Sequence, residues 1–133
     1  MGQAAEKNET NRALAVQVQH LGLRSFRDVW EIQKNYQREL IAGTGTEQLL
    51  LCQHPAVITL GRSANLKNLL ISPQELAERG IELIAIERGG DVSYHGPGQL
   101  VAYPILDLRK RRPDVGWYMR TLEEVVINTL KTY

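Results

Sequence analysis

Between Arg88 and Ile105 the chain reads RGGDVSYHGPGQLVAYPI, and no other stretch limits its folding as much. Four of the 11 glycines and two of the five prolines fall here. That density excludes a continuous helix, because glycine loses the most backbone entropy on ordering and proline removes a donor. Gly89, Gly90, Gly96 and Gly98 let backbone approach a ligand closely or take positive φ. A wide hairpin loop between two strands would account for these glycines and for Pro97. It would not account for Arg88, Ser93, Tyr94 and His95 among them. We therefore read the stretch as a binding site that passes into a strand at Gln99.

On either side, apolar spacing divides the chain into elements. Val16 to Leu21 alternates apolar and polar and predicts a half-buried strand. Ser25 is a candidate N-cap. After it Phe26, Val29, Ile32, Tyr36 and Leu40 recur at helical spacing, with Trp30 near the apolar border and Gly43 as the stop. Leu49 to Cys52 predicts a strand buried on both faces, interrupted by Gln53-His54-Pro55 and resumed over Val57 to Leu60. Ser72-Pro73-Gln74-Glu75 carries the pattern of a capping box, and Gly80 ends that short helix. Ile81 to Ile86 predicts a further strand. Pro104, within the run from Gln99 to about Leu108, predicts an edge or a bulge. Asp114 should cap a last helix carrying Leu122, Val125, Val126 and Leu130, which meets no stop signal and is expected to run to Tyr133. The strands cluster as hairpin-like pairs, 49–60 and 81–108. This predicts an α+β fold with a mixed or antiparallel sheet and helices on one face.

Charge narrows the function. With 16 Lys+Arg against 15 Asp+Glu, the net charge of +1 gives no footprint for nucleic acid or a membrane surface. Arg109 to Arg112 is the one basic cluster. It reads as a solvated loop, with an acidic protein partner as its functional alternative. A single cysteine excludes an intrachain disulfide and fits a reducing compartment. The first residues lack the apolar core of a signal peptide. The expectation is a cytoplasmic protein with a disordered tail over residues 1–14 and one folded unit over 15–133.

Two chemical candidates lie outside the glycine-rich stretch. Cys52 and His54, two apart on a strand, share a face and form a possible nucleophile and base. No cation stands near Cys52 in the sequence to lower its pKa, so it reads as a small buried hydrophobe. His54 sits at a strand break before a proline, where loops carry function. His20 has no partner in view. Three dispersed histidines and one cysteine argue against zinc. Glu87 should end its strand, and Asp91 should face water or cap a turn. His95 is either a proton carrier or a group that positions a ligand carbonyl.

The residues Arg88-Gly89-Gly90, Ser93, Tyr94, His95, Gly96-Pro97-Gly98-Gln99 and Tyr103 resemble the signature of the lipoyl(octanoyl) transferases of lipoate biosynthesis. Ser93 stands where that signature more often has threonine. LLLCQHPAVITLGR at 49–62 is similar to the family's leucine-rich strand, His-Pro and Thr-Leu-Gly segment, and the helix with Trp30 and Gln33 falls in the corresponding place. The resemblance covers roughly residues 20 to 133. It implies the fold of the biotin and lipoate protein ligases, a mixed sheet flanked by helices. It implies transfer of an octanoyl group from acyl carrier protein, through a cysteine thioester, to a lysine of lipoyl domains. The acceptors would be the lipoyl domains of 2-oxoacid dehydrogenase complexes and the glycine cleavage H protein. It implies no cofactor, neither ATP nor metal.

By the same resemblance Arg88, Gly89, Gly90, Asp91, Val92, Ser93, Tyr94 and His95 form the substrate-binding loop, and His54 and Tyr103 line the acyl pocket. The family's catalytic lysine and cysteine lie C-terminal to this loop and to the helix after it. Neither has a match in this sequence, so both are expected beyond Tyr133. Residues 15–133 then correspond to the N-terminal part of the catalytic domain, and the expectation is substrate binding without catalysis. Two other readings compete. One is a non-catalytic module that binds an acyl chain or carrier protein. The other is an ATP-dependent lipoate or biotin ligase, whose signature usually has a third glycine and an acidic residue after the histidine. Here Gly96 follows His95, which favours the transferase.

Overall fold

The computed structural model describes residues 15–133, so the tail expected over 1–14 lies outside the described residues. Six strands run in the order β1 (Val16–Leu23), β2 (Glu47–Gln53), β3 (Val57–Leu60), β4 (Glu82–Ala85), β5 (Val92–His95) and β6 (Val101–Ile105). Helix α1 (Phe26–Ile41) follows β1, α2 (Pro73–Glu78) follows β3, and α3 (Val115–Leu130) follows β6. The expected α+β class holds, with the mixed sheet divided into two. One sheet has the order β1-β2-β6 and the other β4-β3-β5.

The local signals behave as chemistry requires. The Ser25 hydroxyl accepts from Asp28 N at 3.1 Å, and Gly43 takes φ +75° after α1. Ser72 and Glu75 close both halves of the capping box, and Gly80 at φ +68° ends α2. Asp114 caps α3 by accepting from Trp117 N at 2.9 Å. β6, with Pro104 in it, is an edge strand as expected.

The far end of α3 differs from expectation. The helix stops at Leu130 with Lys131 as C-cap, three residues short of Tyr133. The last turn tightens: Thr132 N donates to Thr129 O at 3.1 Å and Tyr133 N to Leu130 O at 3.3 Å. The Thr132 hydroxyl also takes up Thr129 O, at 2.7 Å. Tyr133 is fully exposed.

The hairpin pairing does not hold. β1 and β2 are parallel with α1 crossing between them, and β3 and β4 are parallel with α2 crossing between them. The antiparallel pairs are β2 with β6 and β3 with β5. The 49–60 run therefore breaks at Gln53 to send its halves into different sheets. The 81–108 run holds three strands, because Val92–His95 is a strand where the glycines predict a loop.

These pairings make one long antiparallel ribbon that passes through both sheets. Cys52 faces Val101 in one sheet and Val57 faces His95 in the other. Between those rungs, residues 53–56 oppose residues 96–100, four against five. The surplus residue and the donors missing at Pro55 and Pro97 bend the ribbon, as a bulge does. Helix α1 lies along the inside of the bend. Its Phe26 packs with Val57 and Ile84, flanked by Trp30 and Ile86.

In β2 the polar Glu47 and Gln48 go in together with Leu50 and Cys52, while Leu49 and Leu51 go half out, so the strand is not buried on both faces. Gln48 Nε2 donates to Gln17 Oε1 (3.1 Å) and Thr46 Oγ1 (2.9 Å). Gln19 Nε2 donates to Gln48 Oε1 (2.8 Å) and to the Tyr36 hydroxyl of α1 (2.6 Å). This amide network turns the polar side of β1 toward α1. Val18, on the opposite side, is 54% exposed, the reverse of the burial its alternation suggests.

Candidate functional site

The loop Arg88–Asp91 is held by the chain leaving β3. Gly61 N donates to Asp91 O (2.9 Å), Arg62 N to Arg88 O (2.9 Å) and Ser63 N to Gly90 O (3.1 Å). Arg88 folds back into this loop. Its Nη2 donates to Thr59 O (3.0 Å), Thr59 Oγ1 (3.0 Å) and Asp91 O (2.9 Å), and its Nη1 to Gly89 O (2.9 Å). The Asp91 carboxylate accepts from Asn65 N (2.8 Å) and from Asn68 Nδ2, which ties the turn at Leu66–Asn68 to the loop. Arg88 and Asp91 thus fix the backbone of the loop. Glu87 contributes its carbonyl, which accepts from Arg62 Nε at 3.0 Å.

Gly61 holds this loop, and reads from sequence as a strand end and as the glycine of the Thr-Leu-Gly segment. A Cβ there would lie 2.3 Å from Gly90 O, whereas a Cβ on Gly89 meets nothing within 4 Å. Gly61→Ala should therefore cost about 1–3 kcal/mol as the loop shifts. Gly89→Ala should stay within about 0.5 kcal/mol. Equal losses in chemical denaturation would refute this account of the loop.

The ribbon bend gathers the second group of residues. By register Ser93 and His95 share a face with Thr59 and Val57. His54 is wholly buried beside them. Its Nδ1–H donates to Arg24 O at 2.8 Å, so Nε2 is bare and accepts from the Tyr103 hydroxyl at 2.9 Å. Phe26 meets His54 edge-on at 5.4 Å between ring centroids and stacks on His95 at 6.4 Å, with 8° between planes. The two histidine rings lie 5.9 Å apart. Burial holds His54 below its ordinary pKa, with the Arg24 carbonyl opposing and His95 assisting. Burial, with Cys52 adding to it, drives Tyr103 far above its ordinary value. His54 and Tyr103 are therefore a neutral, mutually satisfied pair beneath His95.

Cys52 lies within this group but is not activated by it. Its Sγ is 3.6 Å from His54 Nε2, and burial pushes the thiol up. A protonated thiol is a poor nucleophile. Val92 and Tyr94 point to the other face of the sheet, with Leu60 and Ile58, and Tyr94 is 51% exposed. His20 is exposed on β1. Phe26 reads from sequence only as a core position of α1, and a phenyl set between two histidines carries no sequence signal.

The basic cluster is mostly neutralised within the chain. Arg109 pairs with Asp107 at 2.9 Å, Arg112 with Asp114 at 3.0 Å, and Arg111 with the buried Glu47. Arg109, Lys110 and Arg112 nevertheless remain exposed, as the solvated-loop reading expects, and only Arg111 is drawn inward. A cleft of about 470 Å³ opens between α1 and the 104–109 segment, lined by Gln33, Leu40, Pro104, Leu106 and Tyr118 among others. It shares no residue with Arg88–His95. Among the described residues no group of three His, Cys, Asp or Glu side chains is placed to hold a metal ion. None of the described helices is long and apolar enough to cross a membrane.

Comparison with known proteins agrees with the signature. The chain is 48% identical over 116 residues to an octanoyltransferase of Solibacter usitatus, and 46% identical over 116 residues to one of Chloroflexus aggregans. Each match covers 87% of this chain but only 53% and 52% of the relative, so the chain spans about half the length of the curated relatives it matches. In fold, it aligns with a solved T. acidophilum protein assigned to the lipoate protein ligases at a TM-score of 0.60. That alignment covers 87% of this chain and 47% of the other at 18% identity, a likeness of fold alone. The family model for the lipoyl protein ligase A/B catalytic domain matches residues 25–133. That range contains α1, both sheets apart from β1, and the whole ribbon bend, and on this match the chain belongs to the lipoyl protein ligase A/B catalytic domain family.

Proposed function

We propose that this chain provides the acyl-binding part of an octanoyltransferase, which takes octanoyl from acyl carrier protein and delivers it to a lysine of lipoyl domains in the cytoplasm. One observation carries the reading. The signature from Arg88 to Gln99 is built as a rigid loop and bend, in a chain 48% identical to a named octanoyltransferase. Arg88, Gly89, Gly90 and Asp91 set the loop backbone. Ser93 and His95 line its inner face, with His54 and Tyr103 beneath. Val92 and Tyr94 contribute from the outer face, over Gly96.

Covalent catalysis needs a nucleophile outside these residues. No cysteine follows position 52, and the buried Cys52 thiol is held protonated. In this reading the nucleophilic cysteine and its lysine come from beyond Tyr133, and the chain binds acyl donor without transferring it. Incubation of the purified chain with octanoyl-acyl carrier protein and a lipoyl domain should give donor binding and no octanoylated product. Transfer by the chain alone would overturn the assignment, with Cys52→Ser as the decisive control. Absence of donor binding would overturn the substrate-binding role.

A further inference from the structure

Gln99 belongs to the signature, yet the binding loop as described leaves it without a task. Its position follows from the turn before it. Gly96-Pro97-Gly98-Gln99 closes with Gln99 N donating to Gly96 O at 3.1 Å. Pro97 occupies the second position and Gly98, at φ +88°, the third, which is the pattern of a type II turn. Gly98 N is free of the turn and donates to Gln53 Oε1 at 2.8 Å, which anchors the turn to the end of β2. The chain thus reverses within four residues and returns the Gln99 side chain to His95. Gln99 Oε1 lies 2.6 Å from His95 Nδ1. A carboxamide oxygen only accepts, so the Nδ1 facing it must carry the proton. Among the described residues the other nitrogen, Nε2, has no protein partner.

We infer that Gln99 is a positioning residue which holds neutral His95 as its Nδ1–H tautomer and leaves the Nε2 lone pair as the ring's only open polar atom. The consequence, which rests on the acyl-transfer reading above, concerns what His95 does to substrate. A neutral ring fixed this way cannot donate to a thioester carbonyl. It accepts a proton or a hydrogen bond, and the substrate group that offers one is the amine to be acylated. In that step an N–H bond of the ammonium breaks and its electron pair stays on nitrogen. The proton forms an Nε2–H bond, and Gln99 Oε1 keeps accepting from Nδ1 in the resulting imidazolium. The stack on Phe26 holds the ring plane while the charge changes. This separates the two roles left open for His95 and explains why a glutamine four residues on belongs to the motif.

The test is ring-nitrogen NMR on the full chain carrying 15N-labelled histidine, at a pH where His95 is neutral. Wild type should show a pyrrole-type Nδ1 and a pyridine-type Nε2 at His95. Gln99→Ala should collapse this to the averaged mixture of an unrestrained imidazole, and Gln99→Glu, which keeps an acceptor, should retain the wild-type pattern. His54 is the internal control for folding, because its Nδ1–H bond to Arg24 O should be unchanged in all three. A protonated Nε2 at His95 in wild type, or an unchanged pattern in Gln99→Ala, overturns the inference. Failure of octanoyl binding with the tautomer intact would instead count against the acyl-transfer reading alone.

Discussion

Arg111→Ala lowers the stability of this fold by about 3–5 kcal/mol at neutral pH, because it strands a carboxylate inside the protein. Glu47 is 4% exposed and begins β2 in the middle strand of its sheet. Its Oε1 accepts from the Arg111 guanidinium and from Asp107 N at 2.8 Å, while Oε2 is buried with no partner. The pair pins the 106–111 segment to β2 and closes one end of the sheet. Burial works against ionisation of Glu47, but Arg111, the Asp107 N–H and Lys110 together outweigh it and hold the carboxyl below its ordinary value of 4.5. A carboxyl depressed in the folded state stabilises above its unfolded pKa, and that contribution is lost as pH falls through the folded value. Wild type therefore weakens on acidification below about 4.5. Without the guanidinium, burial is opposed only by the Asp107 N–H and Lys110, and the carboxyl moves upward from its wild-type position. Arg111→Ala therefore loses less stability than wild type as pH falls and Glu47 takes up a proton. The gap between the two proteins should be widest near pH 7 and narrow toward pH 4. Adding Glu47→Gln to Arg111→Ala should recover most of the loss at neutral pH, since a neutral amide costs less to bury. A gap independent of pH, or no recovery in the double variant, would refute the stranded-charge account.

This ion pair also marks the boundary of what the sequence reveals. Helix ends were legible because capping chemistry is local: Ser25, Ser72 with Glu75, Gly43, Gly80 and Asp114 all act within a few residues of themselves. The signature stood out from a plain turn because too many functional groups stood among its glycines. Partnerships across the chain were not legible. Glu47 and Arg111 are 64 residues apart, and His54 and Tyr103 are 49 apart. Hydrophobic alternation says which residues share a face, not which strand lies beside them. For that reason β2 and β3 read as a hairpin although they belong to different sheets. β5 was lost for a related reason. Its Val92-Ser93-Tyr94-His95 alternation spans only four residues between glycines, and its polar face turns inward toward the site rather than outward to water. The Val16–Leu21 alternation misled in the same way, since the amide network of Gln19 and buried Gln48 inverts the rule that polar residues mark the solvent side.

The second large effect concerns association. Asp114 starts α3 correctly and Trp117, Tyr118, Thr121 and Leu122 are half-buried, yet every residue from Glu123 onward is exposed. Val125, Val126, Ile127 and Leu130 are 57%, 57%, 54% and 66% exposed. Each such side chain forgoes roughly 1.5–3 kcal/mol of burial, so an adjacent set forms a strongly self-adhesive surface. The edge strands β1, β4, β5 and β6 add unpaired backbone groups. The 133-residue chain by itself should therefore associate as its concentration rises and melt broadly or irreversibly. Val126→Lys with Leu130→Lys should give a monomer in sedimentation velocity with a sharper, reversible melt, because those side chains contribute nothing to the core centred on Phe26, Val57 and Ile84. That double variant is also the background in which the losses at Gly61 and Arg111 read cleanly. A wild-type chain that stays monomeric at all concentrations with a sharp reversible melt would show that the exposed half of α3 is tolerated in water. If the lysine variant instead associates as wild type does, the adhesive surface is the open sheet edge, and β1 or β6 becomes the place to introduce charge.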